Sequence, residues 1–351
     1  MKQDESNKMM LAEKATVEVQ KAHSAAVEQF LDPEKRGASN VVGMGVGVKW
    51  RKGQPTGEPA LVVLVTQKLE KDQVSKADLV PPKLAEMQTD VLAIGYPFAG
   101  GSEPLEAGSQ TLARRIRPVE GGYSVGHFKI TAGTIATCVY DILPGGVVSP
   151  PAHGIGIPPR YYILSNNHVL ANSNAAALGD PILQPGPFDG GVDPADRIAR
   201  LSRFIPITFF PLVPLGLHNN LVDAAVAEGQ FHDLDREIYW IGYVRGWRRK
   251  ANVAVGTIVQ KTGRTTNYTT GRITAINATV DVGYGGGRVA RFKDQIVTTN
   301  ISAGGDSGSL VTTPDDVAVG LLFAGSSVAT IVNQIENVRS LLRVEVAEQI
   351  L

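Results

Sequence analysis

The sequence predicts a mainly β protein in which two β-barrels follow a small α+β unit and an N-terminal helix. From Tyr123 onward, short apolar runs alternate with turns rich in Gly, Pro and Asn, and no long helical pattern interrupts them. About 220 residues of this texture leave room for two barrels. Ahead of the barrels, a stretch without Gly or Pro is followed by a segment of mixed strand and helix pattern.

Residues 1–40 contain the predicted N-terminal helix, which runs over residues 5–31. Ala, Val, Leu, Glu, Lys and Gln dominate this stretch, and Asp32-Pro33 ends it. Its apolar positions form a loose stripe: Leu11, Ala15, Ala22, Ala26 and Phe30. We expect this stripe to pack on another protein surface and not on a membrane.

Residues 41–96 form a predicted small α+β domain, and residues 97–122, rich in Gly, Pro and charge, a linker. The domain has three predicted strands and one short helix: Val42–Trp50, Ala60–Val65, Thr89–Ile94 and the helix Lys71–Leu79.

The glycines of segment 43–48 (GMGVGV) also suggest a dinucleotide-binding loop. The third glycine of that motif would fall at Val48, and no helix follows. We therefore interpret the segment as a glycine-punctuated strand.

Residues 123–345 form the predicted two-barrel domain, with the first barrel at 123–230 and the second at 240–345. Strand-like runs recur through it: Thr134–Tyr140, Tyr161–Leu164, Ala224–Ala227, Val253–Gln260, Gly271–Ala275 and Val317–Phe323.

Composition excludes several classes of partner. The chain of 351 residues is 43% hydrophobic and 19% charged, with a formal net charge of zero. This neutrality argues against a nucleic-acid partner, which needs a basic surplus. Cys138 is the only cysteine, so no intrachain disulfide is possible. The first 20 residues lack the apolar core of a signal peptide, and no segment has the roughly 18 apolar residues of a membrane span, so we expect a cytoplasmic protein without a membrane partner.

Ser307, in segment 304–309 (GGDSGS), is the candidate nucleophile. Flanking glycines let the backbone turn sharply, expose the hydroxyl and point nearby amides into one small space. Acyl transfer needs this combination of a nucleophile and N–H donors for the developing oxyanion. The alternative is a glycine-rich hairpin turn, but the segment leads into an apolar strand.

His168 is the candidate base among six histidines. Tyr161–Leu164 is strand-like and segment 165–167 (SNN) turns the chain, so a residue here is held firmly beside a cleft. The other five have other expected settings. His23 lies on the predicted helix, His127 begins a barrel strand as a structural residue, and His153, His218 and His232 lie in turn-rich, solvated segments.

Asp223 is the candidate orienting carboxylate. It lies in segment 219–227 (NNLVDAAVA), where a charge among small apolar residues is costly unless paired. A buried carboxylate of this kind fixes the tautomer of a catalytic imidazole. An exposed edge-strand position is the alternative. Asp180 and Asp189 are weaker candidates, and Asp306 is expected to turn inward and shape the oxyanion loop.

The strings LSNNHVLA, VDAAVA and GGDSGSLV follow the order His, Asp, Ser. They resemble the TAAHC, DIAL and GDSGGP segments of the chymotrypsin/trypsin-like serine peptidase superfamily. The segment 261–266 (KTGRTT) resembles the second-barrel hairpin of its bacterial members. Together with the N-terminal strings MGVGVKW, ALVVLVTQKL and TDVLAIG, the chain looks most like intracellular bacterial trypsin-like proteins and their plant relatives of the narrow-leaf type.

This resemblance implies a chymotrypsin-like double β-barrel with His168, Asp223 and Ser307 as catalytic triad. It places the oxyanion hole on the backbone N–H groups of Gly305 and Ser307. It also implies a substrate pocket with Ile301 at its floor and Phe323, Ala324, Gly325 and Ser326 on its far wall. Because Ile301 cannot pair with Arg or Lys, we expect an apolar or small P1 residue. No Ile-Val-Gly-Gly terminus is present to pair with Asp306.

We therefore predict a serine endopeptidase that acts on proteins or peptides, without a cofactor or metal. The alternative is a catalytically silent binding or scaffold protein on a protease fold. Residues 1–118 are expected to regulate the barrels, as a pro-segment, an oligomerisation module or a partner-docking region. Cys138 suggests a thiol nucleophile, but its place within an apolar run favours an inert core thiol.

Overall fold

Helices are few in this computed structural model, which describes residues 8, 11, 13–31, 40–76, 78–100, 111–142 and 160–346. In this part of the chain the α-helices are α1 (Glu13–Phe30), α2 (Asn167–Leu170) and α3 (Ile335–Leu342). None of them combines the length and apolarity needed to cross a bilayer.

The N-terminal helix packs through one face. Val19, His23, Ala26 and Phe30 recur at helical spacing and are all buried, against strands from the N-terminal half and the second barrel. Leu11 and Ala22 of the predicted stripe are partly buried against the same core. The side chain of Ala15 lies outside the described part of the chain, as do Asp32-Pro33.

Five strands precede the barrels: β1 (Val41–Arg51), β2 (Gln54–Val65), β3 (Lys83–Leu84), β4 (Met87–Ala93) and β5 (Phe98–Ala99). The glycine-punctuated segment 43–48 lies within β1, as predicted. A Cβ at Gly43 would lie 2.6 Å from the Thr279 carbonyl oxygen and one at Gly47 2.6 Å from Val62 Cγ2, so the glycines permit close strand approach.

The predicted helix Lys71–Leu79 is wrong, because the described residues of this stretch form consecutive turns. Asp78 N–H donates to the Ser75 carbonyl and to Ser75 Oγ, and Ser75 Oγ donates to Asp78 Oδ2. Such local side-chain bonds compete with helical ones.

The first barrel contains the strands β6 (Val119–Gly121), β7 (Ser124–His127), β8 (Gly133–Thr134), β9 (Cys138–Asp141), β10 (Tyr161–Ser165), β11 (Pro181–Leu183), β12 (Arg197–Phe204), β13 (Ala225–Gly229) and β14 (Leu234–Ile238). Its sheet runs in the order β9-β10-β13-β12-β11-β7-β8. Ala136 N–H donates to the Leu164 carbonyl at 2.9 Å, which ties the chain after β8 to β10 and closes the barrel.

The second barrel contains the strands β15 (Gly246–Trp247), β16 (Ile258–Gly263), β17 (Asn267–Gly283), β18 (Val289–Thr299), β19 (Leu310–Thr312), β20 (Val317–Gly325) and β21 (Ala329–Gln334). After it, β22 (Val344–Glu345) returns to the sheet of the first barrel and pairs with β9. The order β16-β19-β20-β21-β18-β17 returns from β17 to β16, so six strands close on themselves. The mainly β, two-barrel prediction is confirmed.

The strands of the predicted N-terminal domain extend the sheet of the second barrel. β1 pairs antiparallel with β17, β2 pairs with β1, and β4 runs parallel to β2. Within the predicted linker, β5 and β6 also pair with strands of the barrels. The division at residues 40, 96 and 122 stays a prediction, and this pairing shows that the second barrel and residues 41–93 share one sheet.

Candidate active site

His168 and Asp223 meet at one side of the first barrel. His168 lies in α2, directly after β10 ends at Ser165, and Asp223 lies just before β13. The His168 Nδ1–Asp223 Oδ2 distance is 2.6 Å, and Asp223 Oδ1 accepts the backbone N–H of His168 at 3.1 Å. One carboxylate oxygen therefore orients the imidazole, and the other holds the backbone that carries it.

Asp223 is fully buried and further anchored through its backbone and carboxylate. Asn166 Nδ2 donates to its carbonyl at 2.8 Å, and its N–H donates to Asn333 Oδ1 at 3.0 Å. Tyr284 Oη donates to Oδ2 at 2.6 Å. The hydrogen bonds offset the cost of burying the charge.

The second imidazole nitrogen of His168, Nε2, is the one that does not face Asp223. His168 Nε2 is buried and has no hydrogen-bond partner among the described residues. With Nδ1–H donating to Asp223, Nε2 keeps its lone pair and is able to accept a proton.

Ser307 lies in the turn before β19, on the second barrel. A Cβ at Gly308 would lie 2.1 Å from Ser165 Oγ, so the turn packs against the end of β10, three residues before His168. Ser307 Oγ donates to the Phe323 carbonyl at 3.5 Å and makes no bond to His168. The structure thus brings the His168–Asp223 pair together, whereas the Ser307 hydroxyl is bonded to the Phe323 carbonyl and not to the imidazole.

The carbonyls around Ser307 point into the protein. Thr265 Oγ1 donates to Gly304 O at 2.6 Å, while Thr134 donates through Oγ1 to Gly305 O at 2.8 Å and through its N–H to Ser307 O at 2.7 Å. Within the described part of the chain, the N–H groups of Gly305 and Ser307 have no hydrogen-bond partner. Anchored carbonyls and free N–H groups are the requirement for an oxyanion hole.

Asp306 points inward, as the sequence suggested, and is fully buried. It accepts bonds from the N–H groups of Ala303, Thr265 and Thr266 at 3.0, 2.8 and 3.1 Å. The ammonium of Lys261, itself fully buried, lies 3.2 Å from Asp306 Oδ2. Burial lowers the pKa of Lys261, and the charge of Asp306 opposes that effect. An internal cation therefore neutralises the carboxylate that shapes the loop.

Replacing Lys261 by Met is expected to lower the free energy of unfolding by about 3–5 kcal/mol, because it leaves a buried carboxylate unpaired. The matched control is Lys250→Met, since Lys250 forms a half-exposed pair with Asp294 at 2.9 Å. Loss of such a surface pair costs about 0–1 kcal/mol. Chemical denaturation measures both values, and equal losses in the two variants would contradict a structural role for the buried pair.

A cavity of about 230 Å³ opens beside Ser307. Of the residues predicted for the substrate pocket, Ala324, Gly325 and Ser326 line it. Ile301 and Phe323 do not, because their side chains pack in hydrophobic clusters.

The neighbours of Ile301 in the chain, and not Ile301 itself, contribute to this cavity. The residues on either side of Ile301, Asn300 and Ser302, line it instead. Ser302 Oγ and Thr330 Oγ1 are 2.7 Å apart. No charged side chain belongs to the described lining. The substrate pocket itself stays a prediction, with a more polar wall than an isoleucine floor implied.

The other titratable candidates have structural settings. His127 pairs with Asp180 at 2.9 Å and accepts the Lys129 N–H at 3.2 Å, so both of its ring nitrogens are used. His23 and His218 are buried, contrary to the solvated setting expected for His218, and bond the carbonyls of Met44 and Val213. Desolvation lowers the pKa of both imidazoles.

Three further expectations concern His232, Cys138 and His153. His232 is exposed. Cys138 is fully buried, which raises its thiol pKa. His153 lies outside the described residues. In the described part of the chain no three His, Cys, Asp or Glu side chains gather as a metal site would require.

Sequence reasoning missed the polar residues that support the site. Arg264 and Asp189 form a buried pair that joins the two barrels, with Nε 2.8 Å from Oδ2. Asp189, a weak candidate for orienting the histidine, therefore holds the KTGRTT hairpin. Lys261 and Arg264 could have been found in the sequence as charged residues within a strand-like segment. No feature of the sequence marks Tyr284 or Asn333.

Parts of the chain are similar to known proteins. Residues 29–92 match the NARROW LEAF 1 N-terminal domain. Serine protease 2 of Streptomyces fradiae is 36% identical over 123 residues, covering 34% of this chain and 56% of that protein. Glutamyl endopeptidase 2 of Streptomyces griseus is 48% identical over 58 residues, 16% of this chain and 28% of that protein. The chain thus spans about half or less of the length of these curated relatives.

Among solved structures, Thermobifida fusca Protease A is similar at 15% identity and a TM-score of 0.43, covering 65% of this chain and 97% of that one. With two successive β-barrels the fold is chymotrypsin-like. The chain resembles the chymotrypsin/trypsin-like serine peptidases and, over residues 29–92, the NARROW LEAF 1 N-terminal domain.

Proposed function

We propose that the protein is a serine endopeptidase that works through an acyl-enzyme on Ser307. The observation that carries this proposal is the buried His168–Asp223 pair with a free Nε2. The turn that holds Ser307 and two unbonded N–H groups packs against Ser165, three residues before His168. A hydroxyl, a base with a fixed tautomer and two oxyanion donors are the parts that acyl transfer needs.

In the acylation step, Ser307 Oγ attacks the scissile carbonyl carbon and its proton passes to His168 Nε2. The oxyanion that forms accepts hydrogen bonds from the backbone N–H groups of Gly305 and Ser307. When the C–N bond breaks, His168 returns the proton to the leaving amine. Water then attacks the ester by the same route, which releases the acid and restores Ser307.

The cavity beside Ser307 supports a small or uncharged polar P1 side chain. Its described lining offers the Asn300 amide and serine hydroxyls, and no carboxylate to pair with Arg or Lys. Asn300 Oδ1, Ser302 and Thr330 are hydrogen-bonded to one another, so a P1 amide or hydroxyl can join an existing polar cluster.

A fluorophosphonate probe tests the proposal, because it reacts with an activated serine. We expect the full chain to be labelled, and a peptide library to be cut after small or uncharged polar residues. A protein that stays unlabelled and cuts nothing, with candidate activators present, would favour the catalytically silent scaffold. The bond from Ser307 Oγ to the Phe323 carbonyl is the observation on the side of that alternative.

Regulation by the N-terminal region is supported by the position of β5. Ala99 pairs with Ala324 and Phe98 with Gly325, antiparallel, along the edge of β20 opposite to β21. Ala324 and Gly325 also line the cavity beside Ser307. An extended substrate gains main-chain bonds by adding to such an edge. We propose that β5 occupies the edge where the substrate main chain binds and must leave before a polypeptide is cut.

Phe98→Pro is expected to raise kcat/KM for peptide hydrolysis about fivefold, the equivalent of one net hydrogen bond. The Gly283 N–H donates to the Pro97 carbonyl, so strand alternation turns the N–H of Phe98 towards β20, and proline removes this donor. Steady-state kinetics on a peptide longer than three residues measures the effect.

Phe98→Leu keeps the N–H and is the matched control. Fluorophosphonate labelling should proceed equally in all three proteins, since the small probe does not need the β20 edge. Equal hydrolysis by Phe98→Pro and Phe98→Leu would dispose of this mode of regulation. A cytoplasmic location and an oligomer or partner contact through residues 1–118 stay predictions.

A further inference from the structure

The Tyr284 hydroxyl contacts the carboxylate of the His168–Asp223 pair. Tyr284 follows β17 at the start of the hairpin to β18, and three successive glycines with positive φ, Gly285 to Gly287, turn the chain after it. The hairpin carries the ring from the second barrel to Asp223 beside the first. The hydroxyl is 2.6 Å from Asp223 Oδ2, the oxygen that also faces His168 Nδ1.

The Tyr284 ring is fixed on several sides. It meets His168 edge-on at 6.1 Å between centroids and Phe209 at 5.1 Å, and it stacks with Phe292 at 6.2 Å. Only 7% of the residue is exposed. A ring held in this way has little freedom to withdraw its hydroxyl from the carboxylate.

The hydroxyl acts as a donor. Burial, followed by the charge of Asp223 and the bond to it, raises the pKa of Tyr284 well above its ordinary value, so the phenol keeps its proton. The groups that face it are the Asp223 carboxylate, the His168 ring and Arg288, whose guanidinium bonds the Tyr284 carbonyl at 3.2 Å. The hydrogen bond from the phenol to Oδ2 partly neutralises the negative charge that otherwise acts on His168.

We propose that Tyr284 is a positioning residue for the reaction: its hydroxyl fixes the Asp223 carboxylate against His168 and sets how strongly that carboxylate stabilises the imidazolium. The inference rests on the proposed function. Tyr284 comes from the second barrel, which also carries Ser307, and it joins the His168–Asp223 pair as a third residue. Asp223 Oδ2 then contacts both His168, from the first barrel, and Tyr284, from the second.

Tyr284→Phe tests this, because it removes the hydroxyl and keeps the ring. We expect kcat/KM to fall about 10- to 100-fold, the range for a lost bond to a charged group. The acid limb of the pH profile should move to higher pH, since the unshared carboxylate charge stabilises the imidazolium more. The matched control is Tyr162→Phe, which removes a bond of 2.9 Å between a buried tyrosine and Asp141.

NMR titration of the His168 ring separates this inference from the proposed function, since it needs no turnover. Its midpoint should move to higher pH in Tyr284→Phe and stay in place in Tyr162→Phe, in an active or an inactive protein. An unmoved midpoint in Tyr284→Phe, with a loss of thermal stability like that of Tyr162→Phe, overturns the inference. If the wild-type protein is neither labelled nor active, but the His168 midpoint moves in Tyr284→Phe, only the peptidase proposal is refuted.

Discussion

Ser307→Ala is expected to abolish fluorophosphonate labelling and to lower kcat by about 10⁶, the loss found when a serine peptidase loses its nucleophile. The oxyanion donors and the binding edge remain, so about 10³–10⁴ of rate enhancement over water is expected to survive. Labelling is read by mass, and hydrolysis by a sensitive fluorogenic assay.

Ser340→Ala is the matched control, because Ser340 is exposed on α3. It should label and cut like the wild type. Both variants should keep the wild-type melting temperature, since among the described residues the Ser307 hydroxyl makes only a long bond to the Phe323 carbonyl. Undiminished labelling of Ser307→Ala would mean that another serine reacts, and Ser307 would then lose its assigned role.

Asp223→Asn is expected to lower kcat/KM by about 10⁴ with the fold intact, the effect of the same change in a related triad. The reason lies in the bonds around the carboxylate. Oδ1 accepts the His168 backbone N–H, whereas Oδ2 accepts from His168 Nδ1 and Tyr284. An asparagine oxygen kept opposite the backbone N–H places its NH₂ group opposite His168 Nδ1 and the Tyr284 hydroxyl.

The NH₂ donor then faces Nδ1, so the imidazole must hold its proton on Nε2 and can no longer accept one from Ser307. Nitrogen NMR of the His168 ring reports the tautomer directly. The acid limb of the residual activity should move to lower pH, opposite to the shift in Tyr284→Phe, because the charge is removed instead of strengthened.

Asp141→Asn serves as the control for Asp223→Asn. Asp141 also accepts a tyrosine hydroxyl, from Tyr162, but does not touch the histidine. Its activity should match the wild type. If Asp223→Asn kept full activity with the Nδ1–H tautomer, the orienting role of Asp223 would be refuted.

The strands were predictable because their signals are local. Short apolar runs between Gly, Pro and Asn define barrel strands wherever one face is buried, and β10, β13 and β20 lie where these runs indicated. The helix predicted at Lys71–Leu79 failed because Ser75 and Asp78 bond locally, a competition that propensity does not weigh.

The site shows the same division. Ser307, His168 and Asp223 each stand in a string whose chemistry is visible alone: a serine among glycines, a histidine at a strand end, a carboxylate among small apolar residues. The support around them is not visible in this way. Tyr284 is 61 residues from Asp223, Asn333 is 110 away, and nothing in their own segments marks them.

By itself, then, the sequence determined a mainly β chain with two successive barrels, and it predicted the three residues of the candidate site. Tertiary structure decided which side chains complete that site, that β1 joins β17, and that β5 lies on the edge of β20. The physical reason is range: strand periodicity and turn chemistry act over a few residues, whereas pairing between distant strands and buried polar contacts depends on the whole fold.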